Sequence, residues 1–338
     1  MAVTALRPSE STQPLVSVIM PVYNNARFLT ETLESVVAQT YTRIETVLVD
    51  DGSTDASLEI AEWFERRYPG RVLALRGEPR QGPCRQRNRA LESANGSLIC
   101  WLDSDDLWMG DKIAQQVQVM LERPDVGLVY TDHESFESST GARIDDRHVF
   151  SEEYDDLLAQ LFLDGVLFVA STIMFRREVL TNRNVRLLER DFSLGDDYHL
   201  CLLAALDWNT RGIPKVLARY RRHDTNESTR NWSRTNYYVH LADIQREFLK
   251  SFPEARGRLG HVPRQAQAKW RELASYLERT RGNTYGSVRL LLRSLTLAPV
   301  QVLRARFPRS HVGALLIAVR RTCRRATGRH DRAPESTA

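Results

Sequence analysis

Apolar positions come in short unbroken runs separated by stretches of helical period. Leu15 to Val22 is nearly continuous and rich in β-branched residues. Such a run suits a strand covered on both faces in a parallel sheet. It stops at Tyr23-Asn24-Asn25, which are turn residues. From about Arg27 to Gln39 the apolar positions Phe28, Leu29, Leu33, Val36 and Val37 share one helical face. Ile44 to Val49 is a second buried strand, ending in Asp50-Asp51-Gly52-Ser53-Thr54-Asp55. Ser53 or Thr54 is placed to cap a helix that runs to Tyr68, before Pro69-Gly70. A short strand follows at Val72–Leu75, then a loop at Gly77–Gly82 and a helix over Arg85–Ala94 that ends at Asn95-Gly96. Leu98 to Leu102 is the next strand, Asp111 to Arg123 a helix, and Val126 to Thr131 a further strand. This alternation predicts an α/β fold: a doubly wound, mostly parallel sheet flanked by helices.

Past Thr131 the pattern loosens. A helix is expected over Tyr154–Leu163, a strand over Val169–Phe175, a helix over Asp197–Leu206 and a last strand over Lys215–Tyr220. From about Asn236 the pattern is helical only, broken near Pro253, Gly260, Gly282, Pro299 and Pro308. The reading divides the chain into a disordered N-terminus (1–14), an α/β domain (15–235), a helical, Arg-rich region (236–330) and a disordered tail (331–338).

Charge refines this picture. The net charge of +4 is unevenly spread. Twelve arginines and no Asp or Glu fall between Arg279 and Arg329. Residues 1–278 carry 34 basic and 41 acidic side chains, a net of −7. Leu290-Leu291-Leu292, Leu295, Leu297 and Val300 alternate with Arg289 and Arg293, and Val312–Val319 precedes Arg320, Arg321, Arg324 and Arg325. A basic amphipathic segment reads as membrane-surface binding. A helical cap on the domain is the plain alternative, and sparse aromatics argue against nucleic acid. No run reaches the ~18 apolar residues that span a bilayer, and Met1–Pro14 shows no apolar signal-peptide core. The four cysteines lack metal-ligand spacing, as in a reduced, cytosolic protein. A cytoplasmic protein, peripheral on the inner face of the membrane, is expected.

The candidate chemistry lies in two acidic turns. Asp50-Asp51 ends one strand; Asp103-Ser104-Asp105-Asp106 ends another. Ligands of open α/β sheets bind at that edge. Three crowded carboxylates call for a cation, and Mg²⁺ or Mn²⁺ takes one or two of them together with water and substrate phosphates. The bland alternative is a solvated loop whose Asp106 or Asp111 caps the next helix. No Gly-rich phosphate loop is present, so phosphate charge falls to the metal and to basic residues such as Arg85, Arg87 and Arg89. Arg85 and Arg89 read more simply as a solvated helix face.

Five segments in order carry a resemblance: Val18–Asn24, Ser35–Tyr41, Val49–Asp55, Gln81-Gly82 with Arg87-Asn88, and Leu102–Asp106. Together they resemble the inverting family 2 glycosyltransferases of GT-A fold, of bacterial cell-surface polysaccharide type, over roughly Pro14–Asn231. The resemblance implies a base site at Pro21, Tyr23, Asn24 and Asp51, with Asp51 accepting from a pyrimidine ring N–H. It implies Arg87 near the nucleotide, Asp103 near the ribose and Asp105 on a divalent metal. Gly195-Asp196-Asp197-Tyr198 falls where the family has G-E-D-[YW], so Asp197 matches the general base, and Asp196 stands in place of Glu. The same pair would also favour a helix start, by ~0.3–1 kcal/mol. Arg222 and His223 match a segment near the diphosphate and metal, with His223 a candidate ligand. The implied reaction moves a sugar from a UDP- or dTDP-linked donor to a hydroxyl of a glycan or lipid-linked acceptor. The alternatives are a sugar nucleotidylyltransferase, which would want a Gly-rich basic loop after the first strand, and an inactive glycan-binding copy of the fold.

Overall fold

A computed structural model describes residues 13–144, 152–165, 167–185, 195–226 and 235–280, with Leu290. Its centre is β1 (Val16–Val22), buried along its length except for half-buried Pro21. β1 pairs in parallel with β2 (Ile44–Asp50) on one side and β4 (Leu98–Trp101) on the other, and β2 pairs in parallel with β3 (Val72–Arg76). Side chains along these strands alternate between two cores, as period-2 geometry requires. Ile19, Val47, Val49, Ile99 and Trp101 enter one core; Val18, Met20, Leu48, Cys100 and Leu102 enter the other.

The second core is closed by α1 (Ala26–Val37), α2 (Ser57–Arg67) and α4 (Lys112–Glu122), through residues such as Leu33, Phe64 and Ile113. The first is closed by α3 (Pro83–Ser93), α5 (Leu157–Asp164) and α7 (Asp196–Asp207). Three C-terminal helices, α8 (Thr235–Ser251), α9 (Glu254–Leu259) and α10 (Val262–Thr280), place Leu241, Phe248, Leu259 and Trp270 in that same core. The apolar faces of the C-terminal helices are therefore spent on the α/β body as far as Leu273. The arginine-rich segment beyond it lies outside the described residues, as do residues 1–12.

The rest of the sheet departs from the expected winding. The spatial order is β3-β2-β1-β4-β8-β6-β9-β5, with β7 (Arg143–Ile144) beside β6 (Val126–Glu137). β8 (Met174–Arg176) is antiparallel to both β4 and β6. β6 then runs parallel to β9 (Asn209–Arg222), and β5 (Leu107–Trp108) is antiparallel to β9. The expected strand Val169–Phe175 is mostly a 3₁₀ turn, Ala170–Thr172, followed by short β8. Ser171 and Thr172 are buried there with their hydroxyls bonded locally or to the β4 loop, which competes with a ladder. β9 is longer than Lys215–Tyr220 because it continues β6 past register shifts at Thr131/Asp132 and Asp132/His133. α6 (Glu178–Thr181) is one turn.

The capping expectation for α2 also changes. The residue before α2 is Ala56, with no side-chain cap. Ser53 Oγ instead accepts from the Asn24 N–H at 2.9 Å, and Thr54 N–H donates to Asn24 Oδ1 at 2.8 Å. Those hydroxyl-bearing residues tie the loop after β1 to the loop after β2. Among the described residues no helix is long and apolar enough to cross a membrane.

Candidate active site

The ends of β1, β2 and β4 meet at one edge of the sheet. Asn25 Nδ2 donates to Ser104 Oγ at 2.6 Å, so the β1 loop is also fastened to the β4 loop. Asn24 sits at φ +49, a conformation that Asn tolerates better than most residues. Tyr23 is 41 % exposed beside half-buried Pro21, so its ring is open at this edge. Asp50 Oδ2 accepts from Gly52 N–H at 3.1 Å and Ser53 N–H at 3.0 Å, which shapes the turn. A Cβ on Gly52 would lie 2.7 Å from Pro79 Cβ.

Asp51 is buried. It accepts from Gln81 N–H at 2.8 Å, from Gly82 N–H at 2.9 Å and from Gln86 Nε2. A carboxylate has about four acceptor positions. Three hold the turn into α3, and one remains for a ligand. Gln86, buried on α3, had no signal in the sequence beyond its helical position.

At the end of β4 the acidic residues have separate surroundings. Asp106 is fully buried: Oδ2 accepts from Ser171 Oγ at 2.5 Å, and Oδ1 from Arg221 N–H at 3.0 Å. Burial, then the Asp105 and Asp103 carboxylates, push it well above the usual carboxylate range. It is a clasp between β4, the 3₁₀ turn and β9, and it does not cap a helix. Asp103 donates its N–H to Ser171 Oγ at 3.1 Å, and its Oδ1 accepts from Arg87 Nη2 at 2.5 Å. Burial pushes its carboxyl up to about 6, against the pull of Arg87.

Asp105 faces His223, with Oδ2 2.9 Å from Nε2. His223 can take either tautomer here, because the Thr225 hydroxyl can accept or donate. Asn226 Oδ1 accepts from His223 N–H at 2.6 Å, which fixes the amide orientation and turns Nδ2 toward His223 Nε2 at 3.0 Å. His223 Nδ1 lies 2.7 Å from Thr225 Oγ1. With Nδ1 as donor, Nε2 presents a lone pair to the Asp105 carboxylate. Two acceptors at that separation are a fit for a shared cation. Among the described residues no set of three or more His, Cys, Asp or Glu side chains is arranged around a metal position. Two protein donors suffice for Mg²⁺ or Mn²⁺ when phosphates and water fill the remaining positions, and a ring nitrogen held by its other nitrogen is the usual second support.

Of the two adjacent arginines, Arg221 is the one built into this loop. Its Nε donates to Asp105 O at 2.7 Å, its Nη2 to Glu31 Oε2 at 2.6 Å, and its guanidinium lies between Phe28 and Phe136 at 4.9 and 4.7 Å. Arg222 instead lies over Tyr220 at 4.8 Å. The count R-x-H from His223 points to Arg221, a signal the doubled arginine obscured. Ser171 and Asn226 act across 65 and 121 residues of chain, which no local motif reports.

The second acidic pair opens α7. Gly195 precedes it at φ +134, and a Cβ there would lie 2.4 Å from Ile244 Cδ1 on α8. Asp196 and Asp197 fill the first turn, so the helix-start reading holds. Asp196 is buried, and its Oδ2 accepts from Arg87 Nη1 at 2.5 Å. Asp197 is half-buried, its Oδ1 accepting from Tyr198 N–H at 2.7 Å. Burial, then the Asp196 carboxylate, push Asp197 up to about 7. Arg85 and Arg89 are exposed, as a solvated face would be.

The sequence and the described fold have counterparts. Residues 17–183 match the family described as "Glycosyl transferase family 2". TuaG of Bacillus subtilis (strain 168), named for teichuronic acid biosynthesis, is 30% identical over 247 residues, 71% of this chain and 92% of its own. The chain belongs to glycosyl transferase family 2.

Another relative aligns over less of its length. The Escherichia coli WfgD, named as a UDP-Glc:α-D-GlcNAc-diphosphoundecaprenol β-1,3-glucosyltransferase, is 35% identical over 36% of this chain and 46% of its own length. Among solved structures, S. aureus TarS 1–349 in complex with UDP-GlcNAc superposes with a TM-score of 0.64 at 20% identity, covering 85% of this chain and 82% of TarS. The mannosyltransferase PcManGT of Pyrobaculum calidifontis, solved with GDP-Man and Mn²⁺, gives 0.57 at 18% identity over 91% of this chain and 80% of that one. These likenesses establish the GT-A-type fold, and the family makes the chain a glycosyltransferase.

Proposed function

We propose that this family 2 glycosyltransferase is metal-dependent and inverting. It transfers a sugar from a UDP- or dTDP-linked donor to a hydroxyl of a glycan or lipid-linked acceptor in cell-surface polysaccharide synthesis. The observation that carries this reading is the meeting of the β4 loop with the first turn of α7 through Arg87. A donor-binding edge and a carboxylate with raised proton affinity thereby share one site. Tyr23 and Pro21 offer an apolar surface to a base, and Asp51 keeps one acceptor position for a ring N–H. Asn24 holds the loop that presents them. Asp103 would accept from a ribose hydroxyl.

Asp197 accepts the acceptor hydroxyl's proton as that oxygen attacks the anomeric carbon in a single in-line displacement. Its affinity for a proton near neutral pH lets it take the proton during attack and give it up to solvent afterwards. Asp105 and His223 would hold a divalent Mn or Mg ion, which when bound offsets charge on the departing diphosphate. TuaG and WfgD support a polysaccharide or lipid-linked acceptor, and WfgD and the TarS complex support a UDP-linked donor. The arginine-rich segment suits an anionic inner membrane surface, where a lipid-linked acceptor is presented.

The test is a panel of UDP-, dTDP- and GDP-sugars, scored by thermal shift and donor hydrolysis with Mn²⁺ and with chelator. A donor-specific shift and hydrolysis that both need the metal are expected, and both should disappear in Asp105→Asn. Equal hydrolysis in chelator and in Mn²⁺ would refute metal dependence. Binding without turnover for every donor would favour an inactive copy of the fold.

A further inference from the structure

Arg87 joins two clusters that are far apart in sequence. Its Nη2 donates to Asp103 Oδ1 and its Nη1 to Asp196 Oδ2, each at 2.5 Å. Its guanidinium lies over the Trp101 ring at 4.8 Å, and Trp101 is itself packed edge-on against Phe175. The residue is 5 % exposed, and its Nε is buried without a partner among the described residues. Both terminal nitrogens are thus committed to protein carboxylates, and an aromatic face fixes the plane. A planar fork reaches two separated carboxylates in fixed directions, where an ammonium offers its donors from a single point. Asp196 is one methylene shorter than the Glu of the family motif. Its carboxylate stays close to the α7 backbone, so a pull on it acts on the helix itself.

We propose that Arg87 and Asp196 are positioning residues for the base: the guanidinium braces the first turn of α7 against the loop after β4 and so aims Asp197 at the donor. The inference rests on the reading of Asp197 as general base. It gives Arg87 a role in acceptor activation and not in holding the nucleotide. The brace is also electrical. The charged and titratable groups around Asp197 are Asp196 and Cys201 on α7, Arg87 and Cys84 on α3, and Asp103 after β4. Asp196 and Asp103 favour the protonated form of Asp197 and Arg87 opposes it. Removing either end of the brace should move the base in opposite directions, which loss of packing alone does not do.

The experiment uses the full chain and four variants: Asp196→Asn, Arg87→Lys, Arg87→Met and Asp197→Asn. UDP affinity is measured by calorimetry with Mn²⁺. Turnover is measured against pH with the most active donor of the panel. UDP affinity should stay within about threefold in all four. Asp196→Asn should lower kcat by about 10–100-fold and move the rising, acid limb down by about one pH unit; Arg87→Met should move it up. Arg87→Lys should keep the limb near its wild-type position while failing to restore kcat, because charge returns and the two-ended grip does not. If Arg87→Met does not fold, Asp196→Asn and Arg87→Lys carry the test. Limbs that stay in place, or move the same way, overturn the brace. So does a fall in UDP affinity that matches the fall in kcat, which makes Arg87 a nucleotide ligand. Turnover that survives Asp197→Asn removes the general-base reading, and the brace with it. Loss of turnover in Asp197→Asn with unmoved limbs in the others removes the brace alone.

Discussion

At Asp197 the chemistry reduces to whether one carboxyl is ionised. A carboxyl raised to about 7 is mostly protonated, and idle as a base, at pH 6. Turnover should therefore climb with pH through about 7 and level off above it, and a flat profile from pH 5 to 8 would remove Asp197 from the role. Asp197→Asn should lose ~10²–10⁴-fold in kcat with UDP affinity retained. The resemblance to G-E-D-[YW] singled out this residue for the proposed role from four adjacent positions. Roles set by distant partners were less so. Asp103, Asp105 and Asp106 read as three equivalent anions along the chain. In the fold one meets Arg87, one meets His223, and one is sealed beneath Ser171 and Arg221. What separates them is which segment arrives above each, and that is not encoded within the loop.

Among the elements, α7 carries the heaviest demands. Its start is defined by Gly195, whose φ of +134 and contact with Ile244 exclude a side chain. Gly195→Ala is expected to destabilise by about 1–3 kcal/mol and to lower kcat more than it weakens UDP binding. Equal loss of both would mean that the pair is not aimed by this turn. Two residues past Asp197, His199 is buried against Phe248, with Nδ1 unpartnered among the described residues. Burial holds it down to about 4, against the opposing pull of Asp196. An unfolded histidine takes a proton near pH 6.5, so below that value the unfolded chain binds a proton that the folded chain refuses. Stability should fall as pH drops from 6.5 toward 4. Asp103 and Asp197 titrate in the variant too, so the reading is the gap between wild type and His199→Leu. Between pH 7 and 5 that gap should move by about 2 kcal/mol in favour of the variant. An unchanged gap means His199 reaches solvent. The parallel half of the sheet was legible because β1, β2 and β4 are largely covered on both faces and read as short, mostly apolar runs. β8 was misjudged in length because its neighbour Ser171 spends its hydroxyl on the β4 loop.

For the whole molecule, the acidic body and the basic end point to different tasks. Residues 1–278 carry a net charge of −7, and beyond them stand thirteen arginines against two acidic residues. An anionic leaflet attracts nearby arginines by ~1 kcal/mol each, over a screening length of about 10 Å at 0.1 M salt. Full-length protein should sediment with anionic liposomes at low salt and be released at high salt. A chain lacking residues 285–338 should stay in the supernatant and keep its UDP affinity. Full-length protein that ignores such liposomes would leave the segment no electrostatic anchor.

The antiparallel insertion of β8 between β4 and β6 bears on how the chain is made. β1 to β4 can pair as soon as they leave the ribosome, but the free edge of β4 waits for residues more than 70 positions later. Until then Leu98–Trp101, four buried residues in the finished protein, is an open apolar edge of the kind that recruits other chains. A chain stopped near residue 165 is left with that edge bare and prone to aggregate. One that continues through Arg176 covers that edge with β8 and carries Ser171 over the acidic loop with it. Protection of the nascent sheet thus comes first, and Arg221 and His223 complete the loop's partners when β9 is added.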